Sequence, residues 1–183
     1  MDRVLVEQAR GGDRDAFASL VHQVSDSLFA IAYRILRDTG QAEDAVQDAL
    51  ISTWRQLPHL READRFEAWI RRVLVHACYA ESRRGRDAKS NIRLLDLHGS
   101  STSDGSRALA DRDEIERAFR HLPIDQRSVF VLHHYLGLPL VEIAETLGIP
   151  AGTARSRLHY ATRFLRSAME PGAVMPIEEG RLA

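Results

Sequence analysis

The sequence lacks the features of a membrane, secreted or disulfide-bonded protein. Its 183 residues include one cysteine, Cys78, which cannot form an internal disulfide and agrees with a reducing compartment. It contains no run of about 18 apolar residues, so we expect no membrane span. Its first residues lack the apolar core of a signal peptide, and we expect a cytoplasmic protein.

Signatures of catalysis and of metal binding are also missing. The sequence has no phosphate loop, zinc signature or nucleophile elbow. His133 and His134 are adjacent, so on a helix their side chains point about 100° apart and do not form a metal pair. Cys78 lies on an apolar helix face, as a core residue does. We therefore expect no enzyme, no catalytic residue, no metal and no cofactor.

Most of the chain has the apolar spacing of helices. Apolar residues recur every three or four positions, and alternation typical of strands is not found. The first long helix is expected from an N-cap at Asp13 to about Ile35, and Gly40 separates it from the second. The third is expected over about 64–84. The predicted fold class is therefore all-α.

A polar stretch divides the chain. From Gly85 to Ser106 the residues are mostly small and polar, and such segments bury too little apolar surface to fold. We interpret it as a flexible linker between two small helical domains. The expected boundaries are 10–86 for the first domain, 87–108 for the linker, 109–170 for the second domain and 171–183 for a loose tail.

The net charge of −1 hides two basic segments. Residues 71–93 carry 7 Arg and Lys against 2 acidic residues, and residues 151–166 carry 4 Arg and no acid. Acidic blocks precede both. A protein that binds a polyanion needs only a local positive surface. Each segment alone could equally be the solvated face of a helix.

The strongest local pattern is a helix-turn-helix at 139–166. A short apolar helix is followed by Gly148, which tolerates a positive φ, and then by Ile149 and Pro150, which fix the turn. A second helix begins near Ala151 and buries residues at steps of four, three and four. In such motifs the second helix enters the DNA major groove.

The outer face of that second helix carries side chains suited to duplex DNA. Arginine can grip a guanine edge or a phosphate, and hydroxyls suit phosphates and base edges. The predicted contacts to duplex DNA are Thr153, Arg155, Ser156, His159, Tyr160 and Arg163. The alternative is a helical hairpin whose outer face is arginine-rich by chance.

The first domain presents two further surfaces. Its second helix has an acidic face opposite the apolar stripe, formed by Glu43, Asp44, Gln47 and Asp48. Its third helix mixes aromatic and basic residues, as single-stranded DNA binding requires. The predicted contacts to a melted strand are Phe66, Arg71, Arg72, His76, Arg83 and Arg84. Core packing is the alternative for the aromatic residues, and we favour it for Trp69.

These motifs together resemble the extracytoplasmic-function group of bacterial sigma factors. The matching segments are GDRDAFASLV, AEDAVQDALISTW, RFEAWIRRVLVHACYAESRR and EIAETLGIPAGTARSRLHYA, in the family's order and spacing. The resemblance covers roughly residues 5–168. It implies that the acidic face binds core RNA polymerase and that the first domain helps melt the -10 element. It also implies that the second domain reads the -35 element as duplex.

The resemblance implies partners but no chemistry of the chain's own. RNA polymerase core and promoter DNA are the expected partners, and an anti-sigma factor is a further candidate because many family members have one. His76 stands where the family usually has asparagine, and residues 60–65 replace its variable specificity loop. Pro139 replaces a Ser or Thr helix cap, although proline is tolerated in a helix's first turn.

A second reading of the same motifs stays open at this point. An ordinary helix-turn-helix regulator binds its operator without being a polymerase subunit. It would need a dimer interface or a ligand pocket in the first domain. The first domain instead offers a basic and aromatic helix.

Overall fold

The computed structural model describes residues 2–92 and 116–168, with side chains for 2–86 and 116–168. The first part contains four α-helices. They are α1 (Arg3–Arg10), α2 (Arg14–Leu36), α3 (Thr39–Gln56) and α4 (Phe66–Ile92), with short 3-10 helices at Leu57–His59 and Ala63–Arg65. We call residues 2–92 the N-terminal half.

The second part is also helical. Its helices are α5, described over 116–121, α6 (Ile124–His134), α7 (Leu140–Leu147) and α8 (Ala151–Ala168). We call residues 116–168 the C-terminal half. No strand occurs in either described range, which confirms the all-α fold class. Within those same ranges no helix is both long enough and apolar enough to cross a membrane.

Local side chains fix the starts of α2 and α3. The Asp13 carboxylate accepts hydrogen bonds from the amides of Asp15 and Ala16, so the predicted N-cap is confirmed. The predicted break at Gly40 is wrong, because Gly40 lies inside α3. The chain turns earlier, where Arg37 adopts a left-handed conformation with φ 58°, and Asp38 then caps α3.

Two helices extend beyond the predicted bounds of the first domain. Helix α1 precedes the predicted start at residue 10, and its Val6 is fully buried, so it belongs to the core. Helix α4 continues to Ile92, past its expected end at Arg84 and into the predicted linker. Helix α4 runs through Gly85 without a break, and a Cβ there would come within 3.2 Å of the Gln41 side chain of α3. The predicted linker beyond residue 92 and the predicted tail lie outside the described residues.

The core of the N-terminal half lies where α1, α2, α3 and α4 meet. Each helix turns an apolar stripe inward, and alanines on α3 allow a close approach to α4. The largest fully buried side chains of this half are Leu20, Ile31, Ile35, Leu57, Phe66 and Leu74. Their burial fixes the outward faces of α3 and α4, which carry the predicted binding residues.

The two halves are packed against each other. Helix α6 contacts α2 and α4, and α7 contacts α4. Apolar residues of α6 and α7 belong to the same buried cluster as those of α1–α4. A second, smaller cluster lies within the C-terminal half, between α5 and α8. The sequence predicted a tether between the halves and gave no sign of this contact.

Candidate nucleic-acid interface

The turn between α7 and α8 has the geometry that the sequence predicted. Gly148 ends α7 with φ 65° and ψ 37°, a left-handed conformation that glycine adopts without strain. The amide of Ile149 donates to the carbonyl of Ala144 at 3.0 Å, which closes the end of α7. The carbonyl of Pro150 accepts from Thr153 and so starts α8.

Pro139 begins α7 without a side-chain cap. Its carbonyl accepts the amide of Ile143 at 3.1 Å, so the first helical hydrogen bond forms all the same. This agrees with the expectation that proline is tolerated at this helix start. Helix α7 therefore begins in register despite the departure from the family pattern.

Apolar contacts hold α8 in place from its inner side. Ala154, Ala161 and Leu165 are buried as the sequence predicted, whereas Leu158, the fourth predicted inner residue, is half-buried and packs against the core. Ile143 and Leu147 of α7 are buried with them. Because this inner face is fixed, the opposite face of α8 must point outward.

The outward face of α8 brings the predicted duplex-binding residues together. Arg155, Ser156, His159, Tyr160 and Arg163 are exposed on it, and Thr153 is half-buried at its start. The rings of His159 and Tyr160 stand edge to face, with centroids 5.8 Å apart. The face is basic, since it carries two arginines and no acid.

One arginine of α8 points elsewhere. Arg157 forms an ion pair with Asp125 of α6 at 2.9 Å, and its side chain is 26% exposed. It therefore ties α8 to α6 inside the C-terminal half. The sequence counts Arg157 among the charges of the basic segment. Only the tertiary structure shows that Asp125 neutralises this charge.

The acidic face of α3 is mostly open to solvent. Glu43, Asp44 and Gln47 are exposed, whereas Asp48 is half-buried and pairs with Arg84 of α4 at 2.5 Å. Arg84 also pairs with Glu81 at 3.1 Å. The hydrogen bond from Arg84 to Asp48 and the charge of Glu81 raise the pKa of Arg84. A predicted polymerase contact and a predicted phosphate contact are thus bound to each other.

The residues predicted to bind the melted strand divide into two groups. Arg72, His76 and Arg83 are exposed on α4, and Arg71 is half-buried. Phe66 is 1% exposed and packs in the core, so its ring cannot stack on a base in this structure. The prediction for Phe66 is corrected accordingly, since the first turn of α4 points its apolar face inward.

A surface groove of about 650 Å³ runs between α3 and α4. Trp69, Arg72 and His76 line its α4 side, and Ile51 and Arg55 line its α3 side. Trp69 is half-buried, with its ring centroid 6.1 Å from that of Phe66. The sequence favoured the core for Trp69, yet part of its ring is at the groove.

The sequence reasoning also missed Ile51 and Arg55. Ile51 is 51% exposed, an unusual position for a large aliphatic side chain. The predicted acidic face ends at Asp48, about one helical turn before Ile51 and two before Arg55. An exposed isoleucine next to the acidic face is a signal that only the burial pattern reveals.

The surroundings of His76 favour its neutral form. Partial burial lowers its pKa, and the charge of Arg72 lowers it further. A neutral imidazole offers one donor and one acceptor, which suits a base edge better than a phosphate. The amide of an asparagine, which the family usually has at this position, also offers a donor and an acceptor.

The structure was also searched for a reactive cysteine and for a metal site. Burial raises the pKa of the Cys78 thiol to about 12, so it is not a nucleophile at neutral pH. Among the residues whose side chains are described, no cluster of His, Cys, Asp or Glu could hold a metal ion.

Each half of the chain matches a known protein family. Residues 20–87 match the Sigma-70 region 2 family, and residues 112–165 match the Sigma-70 region 4 family. The chain is 33% identical to the ECF RNA polymerase sigma factor SigL of Mycobacterium tuberculosis, over 87% of this chain and 94% of that protein. It is 29% identical to the RNA polymerase sigma-H factor of Pseudomonas aeruginosa, over 93% and 94%.

A solved structure shares the fold. The sigma factor RpoE from Bartonella quintana, in complex with the anti-sigma factor NepR, superposes with a TM-score of 0.66. It is 22% identical and covers 85% of this chain and 98% of that one. The helix-turn-helix with its basic face and the acidic helix agree with the two matching families and with the relative at 33% identity. The chain therefore belongs to the extracytoplasmic-function group of sigma-70 factors, which direct RNA polymerase to promoters.

Proposed function

We propose that the two halves of this sigma factor divide promoter recognition between them. The N-terminal half binds core RNA polymerase and the melted -10 strand, and the C-terminal half reads the -35 element as duplex. Sigma factors are transcription initiation factors and not enzymes, so polymerase supplies the catalysis. Since polymerase acts in the cytoplasm, we propose the same location for this chain.

The observation that carries the assignment of the C-terminal half is the exposed basic face of α8. Arg155, Ser156 and His159 lie in its first three turns, free of the packed inner face. Side chains near the start of a recognition helix reach base edges, whereas those further along meet the backbone. We therefore assign base contacts to these three residues and a phosphate contact to Arg163.

The N-terminal half offers two neighbouring surfaces for its two partners. Glu43, Asp44 and Gln47 project from α3, and Ile51 extends this face toward the groove. An exposed apolar side chain beside charged ones is typical of a protein-binding surface. We propose that this surface binds core polymerase.

The strand-binding surface lies on α4. Arg71, Arg72 and His76 form its first part, and Arg83 forms its end, with Trp69 available for stacking in the groove. Arginine contacts to phosphates combined with aromatic stacking are how single strands are held. Arg84 joins this surface only if it leaves Asp48 and Glu81.

An anti-sigma protein is a further candidate partner. RpoE from Bartonella quintana, which shares this fold, was solved with such a protein bound. A protein that covered α3 and α4 would block polymerase and the -10 strand together. The alternative of a regulator that acts without polymerase is not favoured, because the matches extend through both halves.

The decisive experiment is binding to purified bacterial core polymerase, followed by run-off transcription. Asp44→Lys should weaken core binding, on the order of tenfold for an exposed charge at an interface. Asp26→Lys is the matched control, because Asp26 is an exposed acid on α2. Asp44 is a better target than Asp48, whose replacement would also release Arg84.

Two results would contradict the proposal. If the wild-type chain formed no complex with core polymerase, the assignment as a polymerase subunit would fail. If Asp44→Lys and Asp26→Lys weakened binding equally, the effect would be one of net charge, and the acidic face of α3 would not be the binding surface.

A further inference from the structure

A cavity separate from the groove of α3 and α4 lies where the two halves meet. It has a volume of about 310 Å³ and is lined by the end of α2 in the N-terminal half and by α5 and the end of α6 in the C-terminal half. Small-molecule sites in proteins have volumes of about 300–1,000 Å³, so this cavity has the size of a site for a small ligand. One turn of a partner helix occupies roughly 420 Å³, from a diameter of about 10 Å and a pitch of about 5.4 Å, and does not fit.

A buried arginine fixes the two sides of this cavity relative to each other. Arg127 of α6 is 8% exposed. Its Nη1 donates to the carbonyl of Ile35 in α2 at 2.7 Å, and its Nη2 donates to the carbonyl of Leu122 at 2.7 Å. The last carbonyls of a helix have no amide partner within it, and the helix dipole favours a cation there. The end of α2 is therefore held against α6, and the space between them has a defined shape.

Aromatic rings form much of the cavity wall. Phe119 of α5 and Phe130 of α6 stand edge to face, with their centroids 5.4 Å apart. The ring of His134 lies 4.4 Å from that of Phe130, between centroids. Tyr135 lines the same cavity and is 45% exposed. Rings arranged in this way offer stacked and edge-to-face contacts to the planar ring of a ligand.

The charged residues that line the cavity carry an excess of positive charge. They are Arg34 and Arg37 against one carboxylate, that of Glu116. Arg37 forms an ion pair with Glu116, whereas no acid pairs with Arg34 among the described side chains. Burial lowers the pKa of His134, and the charge of His133 lowers it further, so the neutral form of His134 is favoured and adds no charge. The cavity therefore favours an anion.

Both arginines have donors left over for such an anion. Nε of Arg37 is buried without a hydrogen-bond partner among the described residues, which is costly for a polar group. Burial lowers the pKa of Arg37, and the charges of Arg120 and Arg34 lower it further, so a bound anion relieves repulsion there. Arg34 donates through Nη1 to the carbonyl of Ala30 at 2.9 Å, and its guanidinium stacks on the Tyr135 ring, 3.8 Å from the centroid. This stacking holds Arg34 at the cavity.

We propose that this cavity binds a small aromatic carboxylate. The ring of the ligand packs against Phe119, Phe130 and Tyr135, and its carboxylate accepts hydrogen bonds from Arg34 and from Nε of Arg37. A carboxylate suits a guanidinium better than a neutral acceptor does, because charge-assisted hydrogen bonds are roughly twice as strong. The ligand contacts both halves, so its binding free energy adds to the packing between them. This inference does not depend on the promoter contacts proposed above.

The test is a calorimetric titration of the purified full chain with β-naphthoate, which combines a fused aromatic ring with a carboxylate. β-Naphthylmethanol keeps the ring without the charge, and inorganic phosphate keeps a charge without the ring. β-Naphthoate should bind with a dissociation constant on the order of 100 μM, as expected for a ligand of roughly 13 non-hydrogen atoms. The two other probes should bind at least about tenfold more weakly.

Variants of the chain test where the ligand binds. Arg34→Gln should weaken β-naphthoate binding roughly tenfold, because glutamine keeps a donor but not the charge. The matched control is Arg14→Gln, which should leave binding unchanged, because Arg14 is exposed at the other end of α2, about 30 Å along the helix. Tyr135→Ala removes a ring of the wall without emptying the core and should weaken binding about two- to tenfold. Circular dichroism checks that each variant is folded.

Four results would overturn the proposal. Absence of β-naphthoate binding at millimolar concentrations would leave the cavity a water-filled gap. Unchanged affinity in a folded Arg34→Gln or Tyr135→Ala variant would show that the ligand binds elsewhere. Equal affinity for β-naphthylmethanol would show that the carboxylate is not recognised, and an equal loss in Arg14→Gln would show an effect of net charge. The titration uses neither polymerase nor DNA, so its outcome can be told apart from a failure to bind core polymerase.

Discussion

The most informative perturbation separates Arg155 from the other arginines of α8. Arg155 is exposed, and no hydrogen bond or ion pair is found for it among the described residues. Replacing it with alanine should leave the free energy of unfolding within about 0.5 kcal/mol of wild type. Any large effect on DNA binding then reflects a contact to DNA and not a change in the fold.

The expected size follows from the chemistry of the contact. A bidentate bond from arginine to a guanine edge contributes about 1–3 kcal/mol of discrimination, or roughly 5- to 150-fold in affinity. Arg155→Ala should lose that amount on the preferred -35 sequence and much less on variants that lack the contacted base pair. Arg163→Ala should weaken every variant alike, because phosphate contacts carry no sequence information.

The assay is a binding series on -35 duplex variants at fixed salt, after selection of a preferred site from a random library. Arg157→Ala is the internal control, because Arg157 is paired with Asp125 and should affect stability by at most about 1 kcal/mol. A uniform loss for Arg155→Ala across all variants would make it a backbone contact. No loss for Arg155→Ala or Arg163→Ala would refute the assignment of α8 as the recognition helix.

Three further predictions follow from the N-terminal half. Phe66→Ala should lower the free energy of unfolding by about 3–5 kcal/mol in chemical denaturation, because it leaves a cavity in the core. A variant that stayed stable but lost single-strand binding would instead show that the Phe66 ring stacks on a base. Cys78, with its pKa raised to about 12, should react with a thiol reagent at pH 8 only at the rate of unfolding; fast labelling of the folded chain would contradict its burial. Arg83→Ala should reduce the salt slope of single-strand binding by about 0.7, and Arg84→Ala by less because Asp48 and Glu81 neutralise it; equal reductions would show that the ion pairs open on binding.

The helix-turn-helix could be derived from the sequence because its signals are local. Gly148 supplies the left-handed turn, Pro150 prevents continuation of α7, and alanine at 144 and 154 permits close packing. The burial pattern of α8 repeats with the helix, so the exposed face follows from the buried one. The same reasoning identified the cap at Asp13 and the acidic face of α3.

The ends of the helices were harder to predict than their buried and exposed faces. Gly40 looked like a helix break, yet the turn is made by Arg37, a residue rarely found at positive φ. Helix α1 was missed because eight residues give too few repeats to establish a period. Gly85 did not mark the end of α4 either, and it lies close to the Gln41 side chain of α3.

The sequence by itself determined which residues share a helix face, and with that the helix-turn-helix, the family and the exposed basic surface of α8. Only the tertiary structure decided which charges are available. It placed Arg157 on Asp125, Arg84 on Asp48 and Arg127 on the carbonyls that end α2. The physical reason is the distance along the chain. The periodicity of a helix relates residues that are a few positions apart, whereas Arg127 and Ile35 are 92 positions apart and meet only when the two halves pack.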